Sequence, residues 1–586
     1  MCGICGEIRF DGSEASAPAI ARMMSVLAPR GPDHGDAKML GRVGFGHRRL
    51  AIIDLSERGN QPMQDQSSDT SLVFNGTIYN YRELRHTLQQ KGHQFFSDSD
   101  TEVILKSYSE WGADCVTHFT GMFAFALWDN SKQSLLLARD RMGIKPLYYT
   151  RDKNRLRFAS NPQALLAAGG VPSDIDPIAI HHHLSLHAVI PAPRTILRGI
   201  RKVRPAHYLQ IDRHGKTTQH QYWTLAAQRP KEELTDAEWT ERIHEALLNA
   251  VKRRLMAADV PVGVLLSGGL DSSMLVGLLY EAGVENLHTF SVGFEDAPEE
   301  KGSEFEYSDQ VVERYQTRHK KFLIPNREVL TRLPEAVSAM AEPMVGQDAV
   351  AFYLLSERVS KEVKVVQSGQ GADEVFGGYF WYPQMAQSQT FAKYYVDRGH
   401  DELLAAIAPR LHGLDYTSGC INDALTQPYA DEFIDQVLRF DVTTLVVDDP
   451  VKRVDNMTMA WGLEARVPFL DHQLVECAAS MPAHMKLGSG GKHVLKLISR
   501  GLIPDAVIDR PKGYFPVPAL KFVRGEFYDF MHDVLTSRAC RERDIFQPAY
   551  VSQLLAAPER HMTPLQGSKL WHLALLEFWL QTHIDR

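Results

Sequence analysis

Residues 260–273 read VPVGVLLSGGLDSS, which is an apolar strand, a glycine-rich turn and the start of a helix. The helix continues as SSMLVGLLYEAG, and the strand HTFSVGF, a further helix, the strand KKFLI and later the strand KVVQSG follow it. Strands that alternate with helices predict a parallel, doubly wound α/β sheet. The last third of the chain is predicted to be mostly helical.

The chain before this stretch has a different pattern. Segments such as GRVGFGHRRLAIIDL, SLVFNGTIYN and GMFAFALWD are rich in β-branched and aromatic residues and read as strands, while YRELRHTLQQKG and TEVILKSYSEWG read as helices. At 586 residues the chain is too long for one core, so two or three domains are expected. We predict an α+β domain over residues 1–205, a closing strand and polar linker over 206–235, and the α/β domain over 236–586.

Composition excludes several classes of protein. The net charge of −8, from 64 basic and 72 acidic residues, argues against a nucleic-acid surface. No apolar run is long enough to cross a bilayer, and the start has no charged segment followed by an apolar one, so neither a membrane partner nor a signal peptide is expected. The six cysteines are sparse and form no disulfide framework, which favours a reducing cytoplasm.

The SGGLDSS turn predicts a phosphate site. Its backbone N–H groups and the start of the helix attract anions. Asp271 would repel a phosphate unless a cation lies between them, and Mg²⁺ shared with phosphate oxygens resolves this. The alternative is an ordinary glycine turn in which Asp271 caps the helix.

The opening hexapeptide MCGICG raises three alternatives. Cys2 and Cys5 could be a redox pair, half a zinc site, or a small buried cysteine beside a catalytic thiol that waits for removal of Met1. Zinc needs about four ligands, and no second cysteine pair or spaced histidine pair completes the first two. Neither a redox pair nor a zinc site is therefore well supported.

The motifs resemble those of known enzymes. SGGLDSS resembles the pyrophosphate loop of ATP pyrophosphatases, and SGQGADEVFGGY (368–379) and MAWGLEARVPFLD (459–471) resemble signatures of the asparagine synthetase family. This resemblance implies ATP as substrate, Mg²⁺ at Asp271 and Asp373, and Lys492 as the cation that stabilises the leaving phosphates. The residues expected to bind ATP or pyrophosphate are Leu266, Ser267, Gly268, Gly269, Asp271, Ser272, Ser273, Val292 and Gly369.

The same family carries an amidotransferase domain with an N-terminal nucleophile in an αββα sandwich. Removal of Met1 would give Cys2 a free α-amine with a pKa near ~8, which can act as a general base. Arg49 would bind the glutamine carboxylate, Asn75 and Gly76 would form the oxyanion hole, and Asp100 would hold the α-amino group. Read alone, Asn75-Gly76 could be a hairpin turn and Arg49 a surface ion pair. The resemblance implies that glutamine is hydrolysed at Cys2, that ammonia passes through an internal tunnel, and that a carboxylate adenylated by ATP is amidated with release of AMP and pyrophosphate.

Three positions depart from the family pattern. Thr77 replaces the acidic residue of N-G-E, Gln370 replaces the acidic residue of G-E-G, and Asn456 replaces a basic residue. Segments 181–199, 345–379 and 454–472 resemble one branch, the N-acetylglutaminylglutamine amidotransferases. That branch implies an acetylated glutamine dipeptide as acceptor and its C-terminal amide, a compatible solute, as product. The alternatives are aspartate as the acceptor and a non-catalytic binding relative.

The stretch HHHLSLH contains His183 and His187, which are four residues apart, as zinc ligands on a helix can be. No carboxylate or second motif accompanies them in the sequence, so a helical packing face with solvated histidines is predicted instead. The expected partners are small molecules, with a second copy of the chain in a homodimer as a further expectation.

Overall fold

The computed structural model describes residues 2–296, 298–299, 301–391, 398–511, 517–565 and 567–585. The first twelve strands form two six-stranded antiparallel sheets, with the orders β10-β8-β9-β1-β3-β2 and β12-β11-β7-β6-β5-β4. Their bounds are β1 Cys2–Arg9, β2 His34–Leu40, β3 Val43–Arg49, β4 Met63–Asp65, β5 Thr70–Ile78, β6 Gly121–Asp129, β7 Ser134–Arg139, β8 Tyr148–Arg151, β9 Arg155–Ala159, β10 Arg201–Lys202, β11 His207–Asp212 and β12 Thr217–Gln221.

The two sheets pack face to face through apolar side chains. Ile4 and Phe45 of the first sheet share a core with Val73 and Ala126 of the second. The helices of this part are α1 Ala17–Leu27, α2 Tyr81–Gln90, α3 Asp100–Trp111, α4 Cys115–His118, α5 Pro162–Ala168 and α6 Pro177–Ser185. Helices α1 and α5 pack on the first sheet, and α3 packs on the second with α2 beside it. The predicted αββα sandwich is confirmed.

The second sheet extends past residue 205. Strand β11 pairs with β7, and β12 pairs with β11, so both belong to the sandwich. The closing strand expected within 206–235 is thus present, followed by a second strand, and we propose that the first domain ends near Gln221.

The second part contains a five-stranded parallel sheet of order β15-β14-β13-β16-β17. Its strands are β13 Val262–Leu265, β14 His288–Phe294, β15 Arg318–Ile324, β16 Val365–Gln367 and β17 Glu464–Arg466. Its helices are α7 Asp236–Met256, α8 Leu270–Glu281, α9 Phe305–Tyr315, α10 Asn326–Ala339, α11 Asp348–Val359, α12 Ala372–Val375 and α13 Trp381–Ser388. Helices α7 and α8 contribute to one large core and α10 and α11 to another, so the sheet is covered on both faces as predicted.

The strand order reverses at β13. The chain runs outward through β14 and β15 and then returns to β16 on the other side of β13. At such a switch point the loops at the carboxyl ends of the two central strands part and leave a crevice. This crevice brings together the SGGLDSS turn after β13 and the SGQGAD segment after β16.

A long helical segment, residues 433–459, packs on α11 and β17 through its last helix, Lys452–Met459. Its turns are wide π turns over Asp441–Leu445 and Val447–Val451, and most of its charged side chains are buried. The other longer helices of the C-terminal part are Tyr416–Leu425, His472–Ala479, His493–Ser499, Gly525–Thr536, Pro548–Ala556 and Lys569–His583. None of the helices among the described residues is both long and apolar enough to span a membrane.

Candidate active sites

Cys2 lies at the beginning of β1, opposite Arg49 of β3. Its backbone N–H donates to Asn75 Oδ1 at 3.0 Å, and the residue is 7% exposed. Burial raises the pKa of the Cys2 thiol. A thiol in this state needs a base beside it to become a nucleophile. Cys5, on the same strand, is fully buried and its thiol contacts the Gly46 carbonyl, so the small buried cysteine of the prediction is confirmed.

Asn75 and Gly76 lie inside β5, paired with β6, which excludes the hairpin turn. The Nδ2 amino group of Asn75 is buried and has no hydrogen-bond partner among the described residues. A buried donor without a partner is costly, and it is available for an oxygen that develops charge. At Gly76 φ is +152°, and a Cβ would lie 2.1 Å from the Met122 carbonyl oxygen, so only glycine fits.

Arg49 lines the pocket beside Cys2, and the surface ion pair is excluded because Arg49 is buried. Its guanidinium donates to the backbone carbonyls of Ser56, Ile53 and Asp54 and to Asn60 Oδ1. The guanidinium that was predicted to bind the glutamine carboxylate is therefore already hydrogen-bonded to protein oxygens. The guanidinium still supplies positive charge at the pocket wall.

Asp100 begins α3 and accepts a hydrogen bond from the Ile78 N–H at 3.0 Å. Burial, and secondarily the charge of Glu464, raises the pKa of Asp100 to about 6. Both carboxyl groups line the pocket of Cys2. The pocket is therefore lined by one basic side chain, Arg49, and by two acidic side chains, Asp100 and Glu464.

Glu464 was missed by the sequence analysis in this role. It comes from β17 of the parallel sheet, and the Thr77 hydroxyl donates to its Oε1 at 3.3 Å. Burial opposes its charge, but the guanidinium of Arg466 lowers the pKa of Glu464 to about 2. Glu464 belongs to the motif MAWGLEARVPFLD, but no local pattern links that motif to the glutamine pocket.

The second site lies at the crevice between β13 and β16. Lys492 Nζ lies 2.6 Å from Asp271 Oδ2 and 2.8 Å from Asp373 Oδ1, so the structure brings together three residues that are far apart in sequence. These two carboxylates raise the pKa of Lys492 although burial opposes the charge. Lys492 has φ +56°, a strained backbone for a lysine, and such strain concentrates at functional sites.

A cavity of about 170 Å³ opens beside this group. It is lined by most of the predicted nucleotide-binding residues: Leu266, Ser267, Gly269, Asp271, Ser272, Val292 and Gly369. Gly268 and Ser273 do not line it: Gly268 has φ +83° and packs against the start of α9, and Ser273 is fully buried. Ser272 Oγ accepts from the Ser267 N–H, which fixes the turn.

The far side of the cavity carries Gln370, Glu374 and Asp348. Asp348 is paired with Arg453 at 2.9 Å. Burial, and then the charge of Asp373, raises the pKa of Glu374 to about 7, while Tyr379 donates to it at 2.8 Å. Asn456 is absent from the lining and instead accepts from the Ala341 N–H, so its place in the sequence motif does not bring it to this cavity.

Buried ion pairs join the sandwich to the second part of the chain. Asp455 contacts Arg30 at 2.9 Å and Lys145 at 3.0 Å, and Arg30 also donates to the Cys2 carbonyl. Lys202 of the sandwich contacts Glu342 at 2.9 Å. Both groups connect the sandwich to the second part of the chain, and Asp455 lies on the helix Lys452–Met459, directly after the π turns.

Comparison with known proteins agrees with this arrangement. The family model described as asparagine synthase matches residues 242–581, and the model described as glutamine amidotransferase domain matches residues 1–223. The chain belongs to the asparagine synthetase family. It is therefore a glutamine-hydrolysing ligase that uses ATP, built from the two domains that this family combines.

Two relatives with whole-length matches come from Bacillus subtilis (strain 168). Asparagine synthetase [glutamine-hydrolyzing] 3 is 30% identical, over 100% of this chain and 99% of the relative, and asparagine synthetase [glutamine-hydrolyzing] 1 is 30% identical, over 100% and 97%. Among solved structures, glutamine phosphoribosylpyrophosphate amidotransferase from B. subtilis is 18% identical and covers 50% of this chain and 75% of its own, with a TM-score of 0.29. This last likeness is too weak to bear on the function of this chain.

Proposed function

We propose that this ligase transfers ammonia from glutamine to the C-terminal carboxyl group of N-acetylglutaminylglutamine. The observation that carries the choice of acceptor is Gln370, a neutral amide in the lining of the nucleotide cavity. Aspartate brings an α-ammonium group, which binds best beside an acidic side chain. An N-acetylated acceptor has no ammonium group, and a neutral amide can exchange hydrogen bonds with its peptide groups.

The neighbouring acidic groups support this choice. Asp348 is already neutralised by Arg453. Glu374, with its pKa raised to about 7, is protonated in part at neutral pH. The described wall of the cavity next to Gln370 thus offers little uncompensated negative charge to a substrate ammonium.

In the first reaction, the Cys2 sulfur attacks the side-chain amide carbon of glutamine. Removal of Met1 would make the Cys2 nitrogen an amine, which takes the thiol proton and passes it to the leaving ammonia. The Asn75 Nδ2 group and the Gly76 N–H would stabilise the oxyanion. Water then hydrolyses the thioester to glutamate and restores the thiol.

The glutamine backbone would be held by opposite charges. Arg49 would face the α-carboxylate through its positive charge, while Asp100 and Glu464 would face the α-ammonium group. Glu464 would thereby replace the carboxylate lost at Thr77. Because Glu464 belongs to the parallel sheet of the other domain, the glutamine pocket is complete only when the two domains are docked.

In the second reaction, an acceptor carboxylate oxygen attacks the α-phosphorus of ATP and pyrophosphate leaves. Asp271 Oδ2 and Asp373 Oδ1 both contact Lys492 Nζ, and each carboxylate has a second oxygen of the hard type that Mg²⁺ prefers. Bound there, Mg²⁺ would neutralise phosphate charge. Lys492 would donate to the departing pyrophosphate, and the N–H groups at the beginning of α8 would bind its oxygens.

Ammonia then attacks the acyl carbon of the adenylate, and AMP leaves with the electron pair of the broken C–O bond. One proton of the attacking nitrogen must be removed. We assign this proton to Glu374, because Gln370 cannot accept it and Glu374 lies in the same wall. A carboxyl group with a pKa near neutral pH suits a general base.

The acceptor is tested by incubating the purified enzyme with Mg-ATP and glutamine and with aspartate or N-acetylglutaminylglutamine in separate reactions. Products are identified by mass spectrometry, with AMP and glutamate measured alongside. The proposal predicts the dipeptide amide together with AMP. Asparagine in the aspartate reaction and no amide in the other would reject the proposed acceptor and favour the activity for which the curated relatives are named.

A further inference from the structure

Three side chains from distant parts of the sequence converge away from both reaction sites. They are His181 of α6, His400 and Asp415, and one ligand atom from each lies within 4.8 Å of the others. His181 lies in the span matched by the amidotransferase model, and the other two lie in the span matched by the synthase model. The cluster therefore joins the two halves of the chain.

The distance between the two histidines fits a shared metal ion. His181 Nε2 and His400 Nδ1 are 3.5 Å apart, which is long for a hydrogen bond between two nitrogens. Two nitrogens bound to tetrahedral zinc at about 2.0–2.1 Å lie about 3.3–3.4 Å apart. The observed separation thus matches the edge of a zinc tetrahedron more closely than a hydrogen bond.

The surroundings of His181 include a hydroxyl that can hold the tautomer needed for metal binding. Its Nδ1 lies 2.8 Å from Thr417 Oγ1, and His182 Nδ1 lies 3.2 Å from the same oxygen. If Nδ1–H of His181 donates to Thr417, the hydroxyl can donate onward to His182. The lone pair of His181 Nε2 then points at His400, and the Thr417 contact is the outer-shell support that metal-binding histidines use.

Asp415 is the third member of the cluster. Its carboxylate accepts from the Ser418 N–H at 3.0 Å and the Ser418 hydroxyl at 2.7 Å, which orients it at the beginning of the helix Tyr416–Leu425. Each carboxylate oxygen has a second lone pair for a cation. Asp415 also lines a cavity of about 1090 Å³, so water can reach the fourth position.

We propose that His181, His400 and Asp415 bind one zinc ion that clips the amidotransferase half to the synthetase half. The helical stretch HHHLSLH then contributes a metal ligand, His181, but not through His183 and His187, the pair that the spacing in the sequence suggested. His183 is fully buried, and His187 lies past the end of α6, so these two do not form the site. The expectation of solvated histidines is wrong, because His181, His182 and His183 are all buried.

The test uses untagged full-length enzyme that has been dialysed against zinc chloride and freed of unbound metal by gel filtration. Zinc per chain is measured by mass spectrometry, and cobalt(II) is loaded in parallel because its visible spectrum reports tetrahedral nitrogen and oxygen ligands. The variants are His400→Gln and Asp415→Asn, which keeps a good helix cap. The control is His412→Gln, an exposed histidine of the same region.

The proposal predicts roughly one zinc per chain in wild type and in the His412 variant, and loss of most of it in the other two. Thermal midpoints with and without zinc should differ in wild type and coincide in the His400 variant. Retained glutamine hydrolysis shows that the variants fold. Wild type without bound zinc, or variants that keep it at the wild-type level, would overturn the proposal.

Discussion

At the scale of single residues, the chemistry of this ligase rests on groups that burial has moved away from their ordinary state. The thiol of Cys2 is held protonated, the carboxyls of Asp100 and Glu374 titrate near neutral pH, and Glu464 stays ionised. Neighbouring groups whose pKa values are moved apart by their surroundings are typical of the acids and bases of enzyme active sites. Each can be tested by removing one functional group.

Replacing the nucleophile should separate the two reactions. In Cys2→Ala, glutamine hydrolysis is expected to fall by about 10⁴-fold or more, because no other group forms the thioester. Ammonia-driven amide formation should stay within about twofold of wild type, since the nucleotide site is untouched. Glutamate release and amide yield are measured in the same samples. Unchanged glutamate release would show that Cys2 is not the nucleophile.

Glu464→Gln should weaken glutamine binding, although Glu464 belongs to the synthetase domain. Loss of one charged contact is expected to raise KM for glutamine by about tenfold, with a smaller change in kcat. Steady-state kinetics with varied glutamine give both values. Ammonia-driven synthesis by the same variant is the control for folding, and an unchanged KM for glutamine would remove Glu464 from the binding site.

Glu374 should impose a pH dependence on amide formation. Its folded pKa is raised to about 7, so the base form is lost as the pH falls through that value. At low pH the protonated carboxyl resembles the amide of Glu374→Gln, and the ratio of wild-type to variant rates should approach one. Above pH 7 the ratio should rise by about 10²-fold, the ordinary worth of a general base. A ratio independent of pH would contradict the assignment.

At the scale of elements, the sequence predicted the fold well where the pattern is local. The strand, turn and helix of VPVGVLLSGGLDSS are β13 and α8, and TEVILKSYSEWG is α3. The closing strand expected within 206–235 is present as β11, whereas β12 and the pairing of β11 with β7 are not visible in a local pattern. Asp271, Asp373 and Lys492 were found from motifs, whereas Glu464 and the His181 cluster depend on contacts between segments far apart in sequence.

The helix Lys452–Met459 should control how firmly the two halves of the chain are docked. Asp455→Asn removes the charge that pairs with Arg30 and Lys145, and loss of one partner from a buried pair costs about 3–5 kcal/mol. We expect a lower thermal midpoint and more than one glutamate released per amide formed, because the domains separate and ammonia escapes. Asp509→Asn, at an exposed pair with Arg500, is the matched control. One glutamate per amide in the Asp455 variant would contradict this role.

At the scale of the whole molecule, the two halves of the chain meet at the glutamine site. The glutamine pocket is lined by both halves, and buried charges join the strand of Cys2 to the helix Lys452–Met459. This architecture suits a product that must not meet water, since free ammonia is protonated at neutral pH. We propose that ammonia passes along this interface to the adenylated acceptor.

One measurement tests the whole account. The enzyme is given Mg-ATP, glutamine labelled with ¹⁵N in its side-chain amide, an excess of unlabelled ammonium, and equal amounts of aspartate and N-acetylglutaminylglutamine. Mass spectrometry then reads which acceptor is amidated and which nitrogen it carries. The account predicts the dipeptide amide, with mostly ¹⁵N. Asparagine as the main product would contradict the acceptor, and unlabelled nitrogen in the amide would contradict the internal transfer from Cys2.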